Sequence, residues 1–161
     1  MSSNNKEIVL QPANIVAHVE GHWLRRYAED FLAAARAFKA PNNRFSPVRY
    51  YLICHSIELA LKAYLFTAGY KKKDRKKLNH DLVEALIAAE KNGLSEYFQI
   101  TLKERESVEK ANALYPKKEF EYFESLKTIY DPHEFDLDVL DELAQRLIEK
   151  IEEPIKATFF E

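Results

Sequence analysis

The sequence predicts a single all-α helical bundle. Its 161 residues include only three glycines and six prolines, fewer than a chain of many tight β-turns would carry. Apolar residues recur at helical spacing in long segments, and no segment alternates apolar and polar residues over the length of a convincing strand. Hydrophobic residues make up 47% of the chain, which is enough to fill one core. We expect four to five main helices in an up-and-down bundle with short connections.

The first helix is predicted to begin after Asn14, and residues 1–13 are assigned to a polar tail. Asparagine is a preferred N-cap residue, and the apolar residues that follow recur every three or four positions up to Phe38. The segment 40–45 contains a proline and two asparagines and is expected to end this helix. The domain itself is assigned to residues 14–157.

The second helix is predicted to run to Ala68. Ser46 is expected to cap it, with Pro47 at the first helical position, where a missing N–H costs nothing. Gly69 follows the last apolar residues, as is typical of a left-handed helix terminator. Both sides of this helix are apolar, so we expect it to lie at the centre of the bundle.

Three more helices are predicted after a charged loop at 70–79. They span about 80–92, 95–114 and 137–150, and the stretch 117–136 is expected to hold a short helix followed by an irregular aromatic segment.

Composition excludes several classes of protein. The net charge is −2, so any binding of nucleic acid must come from a local patch. Cys54 is the only cysteine, which excludes an intrachain disulfide and a cysteine zinc cluster. Motifs of classical ATPases, dehydrogenases, hydrolases and zinc proteases are absent, and we expect no cofactor and no metal. The first residues do not read as a signal peptide, and charged residues interrupt the longest apolar run. We therefore expect a cytoplasmic protein that does not enter a membrane.

Three ionisable residues stand in the middle of the second helix. His55, Glu58 and Lys62 fall within roughly 60° of one another around an ideal helix, and Glu58 precedes Lys62 in the order that favours an ion pair. One interpretation is a hydrogen-bonded seam that fixes helix register. The other is an acid–base site in which Glu58 orients His55. The residues alone leave both interpretations open.

A basic stretch follows this helix at 71–77. It has six basic residues and one acidic residue. These side chains suit contacts to phosphates, with an affinity that falls as salt rises, although a solvated charged loop would look the same. The candidate RNA- or nucleotide-binding residues are Lys62, Lys71, Lys72, Lys73, Arg75 and His80.

Three stretches of the chain carry a family resemblance. HSIELALKAYLFTAG (55–69), with its Glu-x-x-Leu-Lys core, and NHDLVEALIAAEKNGL (79–94), with its His-Asp-Leu start, resemble the central helix and the following helix start of the HEPN domain family. TIYDPHEFD (128–136) is similar to the turn before the last helix of these domains. The resemblance covers roughly residues 15–150.

The resemblance implies a homodimer formed through central helices, and RNA or nucleotide binding without strong catalysis. It also leaves two alternatives. One is a metal-independent endoribonuclease of the toxin–antitoxin or antiviral type, and the other is a non-catalytic module that pairs with a nucleotidyltransferase-like protein.

Active members of the family carry Arg-x(4–6)-His near the start of a late helix. This sequence has Lys127-x5-His133 there, with lysine in place of arginine. Arg49-x5-His55 and Arg75-x4-His80 match the spacing elsewhere. For the ribonuclease alternative, the catalytic candidates are Arg49 as phosphate clamp, His55 as acid or base, and Glu58 as the group that orients His55.

Overall fold

The computed structural model describes residues 12–41, 46–117 and 135–158, with the side chains of the first helix described from Val19 onward. These ranges contain α-helices and one 3-10 turn at Leu94–Glu96, and no strand. The all-α prediction is therefore confirmed. The helices are α1 (Pro12–Ala37), α2 (Val48–Thr67), α3 (Lys72–Lys77), α4 (Leu82–Lys91), α5 (Leu102–Asn112), α6 (Leu137–Lys150) and α7 (Glu152–Ala157).

Several predicted helix starts were wrong. Helix α1 already includes Pro12, so Asn14 lies inside the helix and does not cap it. Pro47 occupies the N-cap position of α2 and no side chain caps that end, so Ser46 lies one residue too early to cap it. Helix α5 begins only after Thr101, because Thr101 and Glu104 form a reciprocal capping box that the prediction from Ser95 did not consider.

The charged stretch at 70–79 is not simply a loop, because α3 lies within it. Lysine and arginine are good helix formers, but a helix of six residues needs tertiary contacts to be stable. Arg75 and Leu78 provide them, since both side chains are buried. Predictions for residues 1–11, 42–45 and 118–134, including Lys127 and His133, lie outside the described residues.

Helix α2 lies at the centre of the bundle, as its two apolar sides predicted. It packs against α1, α4 and α6. One side of α2 fills the core with fully buried side chains: Tyr50, Ile53, Ile57, Leu61 and Leu65.

Helix α1 approaches α2 closely at Gly21. A Cβ atom there would lie 2.9 Å from the Thr67 hydroxyl oxygen, so only glycine fits without a shift. The Ser56 hydroxyl of α2 donates to the Ala28 carbonyl of α1 at 2.7 Å. These contacts fix the two longest helices against each other. No helix within the described ranges is both long and apolar enough to cross a bilayer.

Leu61→Ala should lower the free energy of unfolding by about 2–5 kcal/mol, because it opens a cavity in the centre of the core. Leu61 is 1% exposed, whereas Leu102 at the start of α5 is 74% exposed. Leu102→Ala is the matched control and should change stability by less than about 0.5 kcal/mol. Denaturant unfolding measures both values, and equal losses would contradict the placement of α2 in the core.

Candidate functional site

A carboxylate lies in the core of the bundle. Glu58 is only 2% exposed and projects from the middle of α2. Burying a charged carboxylate is costly unless donors surround it. Four side chains meet it, and we call the five residues together the Glu58 cluster: His55, Glu58, Lys62, His80 and Tyr115.

Lys62 of α2 and the link between α3 and α4 meet on one side of the carboxylate. Lys62 Nζ donates to Glu58 Oε1 and, at 2.7 Å, to the main-chain carbonyl of Asn79. His80 Nδ1 lies 3.1 Å from Glu58 Oε2 and 3.2 Å from Oε1. Asn79 has φ 49, a left-handed conformation that asparagine tolerates better than most residues. Asp81 then caps α4 by accepting from the Glu84 amide at 2.9 Å, which fixes the backbone on the far side of His80.

Tyr115 and His55 close the other side. The Tyr115 hydroxyl donates to Glu58 Oε2 at 2.6 Å. His55 Nδ1 lies 3.0 Å from the Tyr115 hydroxyl oxygen and 3.5 Å from Glu58 Oε2. The ring of Phe31 on α1 meets the His55 ring edge-on, with 4.4 Å between centroids. His55 is therefore fixed by a hydrogen bond at one nitrogen and by an aromatic contact on its ring.

The contacts decide where the protons lie. An ionised carboxylate only accepts hydrogen bonds, so His80 Nδ1 must carry a proton. Tyr115 uses its single proton on Glu58, so His55 Nδ1 must donate to the tyrosine oxygen. In the neutral ring of each histidine, Nε2 then holds a lone pair. Neither Nε2 atom has a hydrogen-bond partner within the described residues, and the two side chains are 35% and 41% exposed, respectively.

Opposing effects act on the ionisation of this cluster. Burial alone would raise the pKa of Glu58, but the neighbouring side chains of His55, Lys62 and Tyr115 outweigh it and hold that pKa well below its usual range. Burial raises the pKa of the Tyr115 hydroxyl, and the negative charge of Glu58 raises it further. Tyr115 is therefore a fixed hydrogen-bond donor, and Glu58 is a permanent anion near neutral pH.

The structure brings together part of the predicted site. His55, Glu58 and Lys62 form the seam that their spacing suggested, and His80 joins them from a different part of the chain. Arg49, the predicted phosphate clamp beside His55, instead forms ion pairs with α6. Its guanidinium lies 3.2 Å from Asp138 and 3.7 Å from Asp141, both on α6.

Arg75 was predicted to lie in a solvated charged loop, and this prediction was wrong. Its side chain is buried, with the guanidinium carbon 4.1 Å from the centre of the Phe66 ring and Nη2 3.8 Å from Glu20. Arg75 thus anchors α3 to the end of α2, whereas Lys71, Lys72 and Lys73 are exposed to solvent.

The contact of Tyr115 with Glu58 was not predicted from the sequence. Tyr115 follows α5 and is 57 residues from Glu58, so helical spacing carries no signal for this contact. Its neighbour Pro116 indicates the end of a helix, and nothing beside it in the sequence indicates a buried hydroxyl.

A surface pocket of about 570 Å³ adjoins the Glu58 cluster at His80. The pocket lies between α3, the start of α4 and Pro116. Within the described part of the chain, no group of three or more His, Cys, Asp or Glu side chains is placed to hold a metal ion.

The fold and the Glu58 cluster together define an all-α bundle with a buried, hydrogen-bonded ionic site. Comparison of the chain with family models, curated proteins and solved structures finds no significant match. The resemblance to HEPN domains therefore stays a prediction from the sequence.

Glu58→Gln should destabilise the protein by about 1–3 kcal/mol at pH 7, because it removes the charge to which Lys62, His80 and Tyr115 donate. The lowered folded-state pKa means that this stability is fully present above the unfolded-state value of about 4.3 and is lost as pH falls towards the folded-state value. The gap between wild type and variant should therefore shrink only below about pH 4. Denaturant unfolding across pH measures it.

Glu106→Gln, at an exposed position of α5, is the matched control for this variant. It should leave stability nearly unchanged at every pH. A Glu58→Gln variant as stable as wild type at pH 7 would contradict the role of the carboxylate in holding the cluster together.

Proposed function

We propose that this chain binds RNA or a nucleotide in the cytoplasm through phosphate contacts made by α3, without strong catalysis. The observation that carries the proposal is a row of exposed lysines on and beside a short, anchored helix. These are Lys71, Lys72, Lys73, Lys76 and Lys77.

The arrangement of α3 favours phosphate binding over the alternative of a solvated charged surface. Arg75 points inward while the lysines point outward, so the positive charges are held on a fixed backbone. Among these lysines, only Lys77 has a carboxylate within ion-pair distance in the described residues, at 3.1 Å from Asp74. The other four remain available to phosphate oxygens, which are the main source of affinity for nucleic acids.

The position of Arg49 favours binding over catalysis. The ribonuclease alternative needs a cation beside His55 to stabilise charge on phosphorus. Arg49 instead pairs with two carboxylates of α6, so it would have to leave both to take that role.

We also propose that the chain forms a homodimer. The alternative is assembly with a nucleotidyltransferase-like protein. Trp23 and Tyr27 support a contact surface, because these two aromatic residues are exposed one turn apart on α1 with 6.4 Å between ring centroids. Aromatic residues are enriched at protein interfaces.

Lys71→Ala/Lys72→Ala/Lys73→Ala should weaken binding of a single-stranded RNA and reduce its salt dependence. The slope of log affinity against log salt should fall by roughly 0.7 for each phosphate that the variant no longer neutralises. Fluorescence anisotropy at several salt concentrations measures the slope.

The matched control is Lys91→Ala/Lys110→Ala/Lys150→Ala, which removes the same charge from exposed positions on α4, α5 and α6. This variant should bind nearly as wild type does. Equal losses of affinity in the two triple variants would mean that net charge matters and α3 does not, and binding by neither wild type nor variants would refute the proposed function.

A second candidate function is metal-independent RNA cleavage. The observation in its favour is the pair of histidines whose Nδ1 atoms are both tied to Glu58 or Tyr115, with each Nε2 left without a partner in the described residues. Transfer of the 2′-hydroxyl proton requires one ring to be neutral and to accept that proton at Nε2, and protonation of the leaving oxygen requires the other ring to be in its protonated form and to donate from Nε2.

Under this second proposal, wild type should cleave RNA in EDTA and His55→Ala should lose at least about a hundredfold in rate. Arg49→Ala, which should also be inactive if Arg49 acts as a clamp, tests the partner. Circular dichroism of each variant separates loss of chemistry from loss of fold. Cleavage that survives in His55→Ala, or no cleavage by wild type, would leave binding as the function.

A further inference from the structure

The pocket beside His80 has a size and a position that suit one nucleotide. Its volume of about 570 Å³ lies within the usual range for small-ligand sites. Lys77 of α3 lines the pocket and follows the exposed Lys76 in the sequence. Tyr70 also lines the pocket, and an aromatic ring is the kind of surface on which an unpaired base stacks.

The polar groups of the pocket are mostly hydrogen-bond acceptors. His80 donates through Nδ1 to Glu58, so its other nitrogen is an acceptor in the neutral ring. The carboxylates of Asp74, Asp81 and Glu84 also line the pocket. A ligand that satisfies this lining must therefore present several N–H donors.

Two of these carboxylates are already engaged. Asp74 pairs with Lys77 at 3.1 Å, and Asp81 Oδ1 accepts from the Glu84 amide at 2.9 Å and from the Asn112 side chain at 3.1 Å. The Glu84 side chain is exposed and has no such partner in the described residues. The pocket thus offers one free carboxylate beside a cationic helix, which suits a donor-bearing phosphate ester better than a polycation.

We infer that this pocket takes the base of a guanine nucleotide, with Glu84 accepting from the base and the lysines of α3 holding the phosphates. This inference rests on the proposed function and adds that the pocket prefers guanine. Guanine carries N1–H and a 2-amino group side by side, so one carboxylate can accept from both. Uracil has a single N–H flanked by carbonyl oxygens, which a carboxylate repels.

The test compares short single-stranded oligouridine with the same RNA carrying one central guanosine, or inosine, which lacks the 2-amino group. Guanosine should raise the affinity of wild type by about tenfold, and inosine should raise it less. Glu84→Gln should abolish the preference for guanosine, and it should not weaken binding of oligouridine, because it removes a charge that repels the uracil carbonyls. Glu106→Gln is the control and should keep the preference.

The outcomes separate the inference from the proposed function. Equal binding of all three RNAs, or a guanosine preference that survives in Glu84→Gln, would overturn the guanine pocket and leave phosphate binding by α3 intact. Binding of none of them by wild type would refute the proposed function and the inference with it. Spermidine that displaces the guanosine RNA in wild type but not in Glu84→Gln would show a site for cationic amines and would also overturn the inference.

Discussion

A carboxylate buried at the centre of a helical bundle has to be surrounded by hydrogen-bond donors, and Glu58 imposes this condition on the chain. Lys62 comes from the same helix, His80 from the link between α3 and α4, and Tyr115 from the residues after α5. Three separate parts of the chain must therefore reach one pair of oxygen atoms. The helices that carry them take up positions that satisfy this requirement.

The same contacts that stabilise the fold also orient the two histidines. Each is fixed through Nδ1, and each therefore presents Nε2 away from the carboxylate. A histidine held in this way needs no further group to set its tautomer or its direction. The sequence left two interpretations of His55 open, a structural seam and an acid–base site. Both are compatible with the same position of the ring.

Burial separates the charges of the basic stretch into two roles. Arg75 stacks on Phe66 and is removed from solvent, and its neighbours among the lysines stay on the surface. Arginine suits the buried position because its flat guanidinium is weakly hydrated and stacks on aromatic rings. Lysine suits the exposed positions, where it acts as a mobile point charge. One short charged segment thereby provides both an anchor and a cationic surface beside an acceptor-rich pocket.

The sequence by itself determined the all-α class, the central position of α2 and the Glu58–Lys62 pair, because these depend on spacing within one helix. Only the tertiary structure decided that Tyr115 and His80 complete the cluster, that Arg49 pairs with α6 and that Arg75 is buried. A helical repeat shows which side of a helix a residue occupies. It carries no information about which residue of another helix will lie opposite, since that depends on how the whole bundle packs.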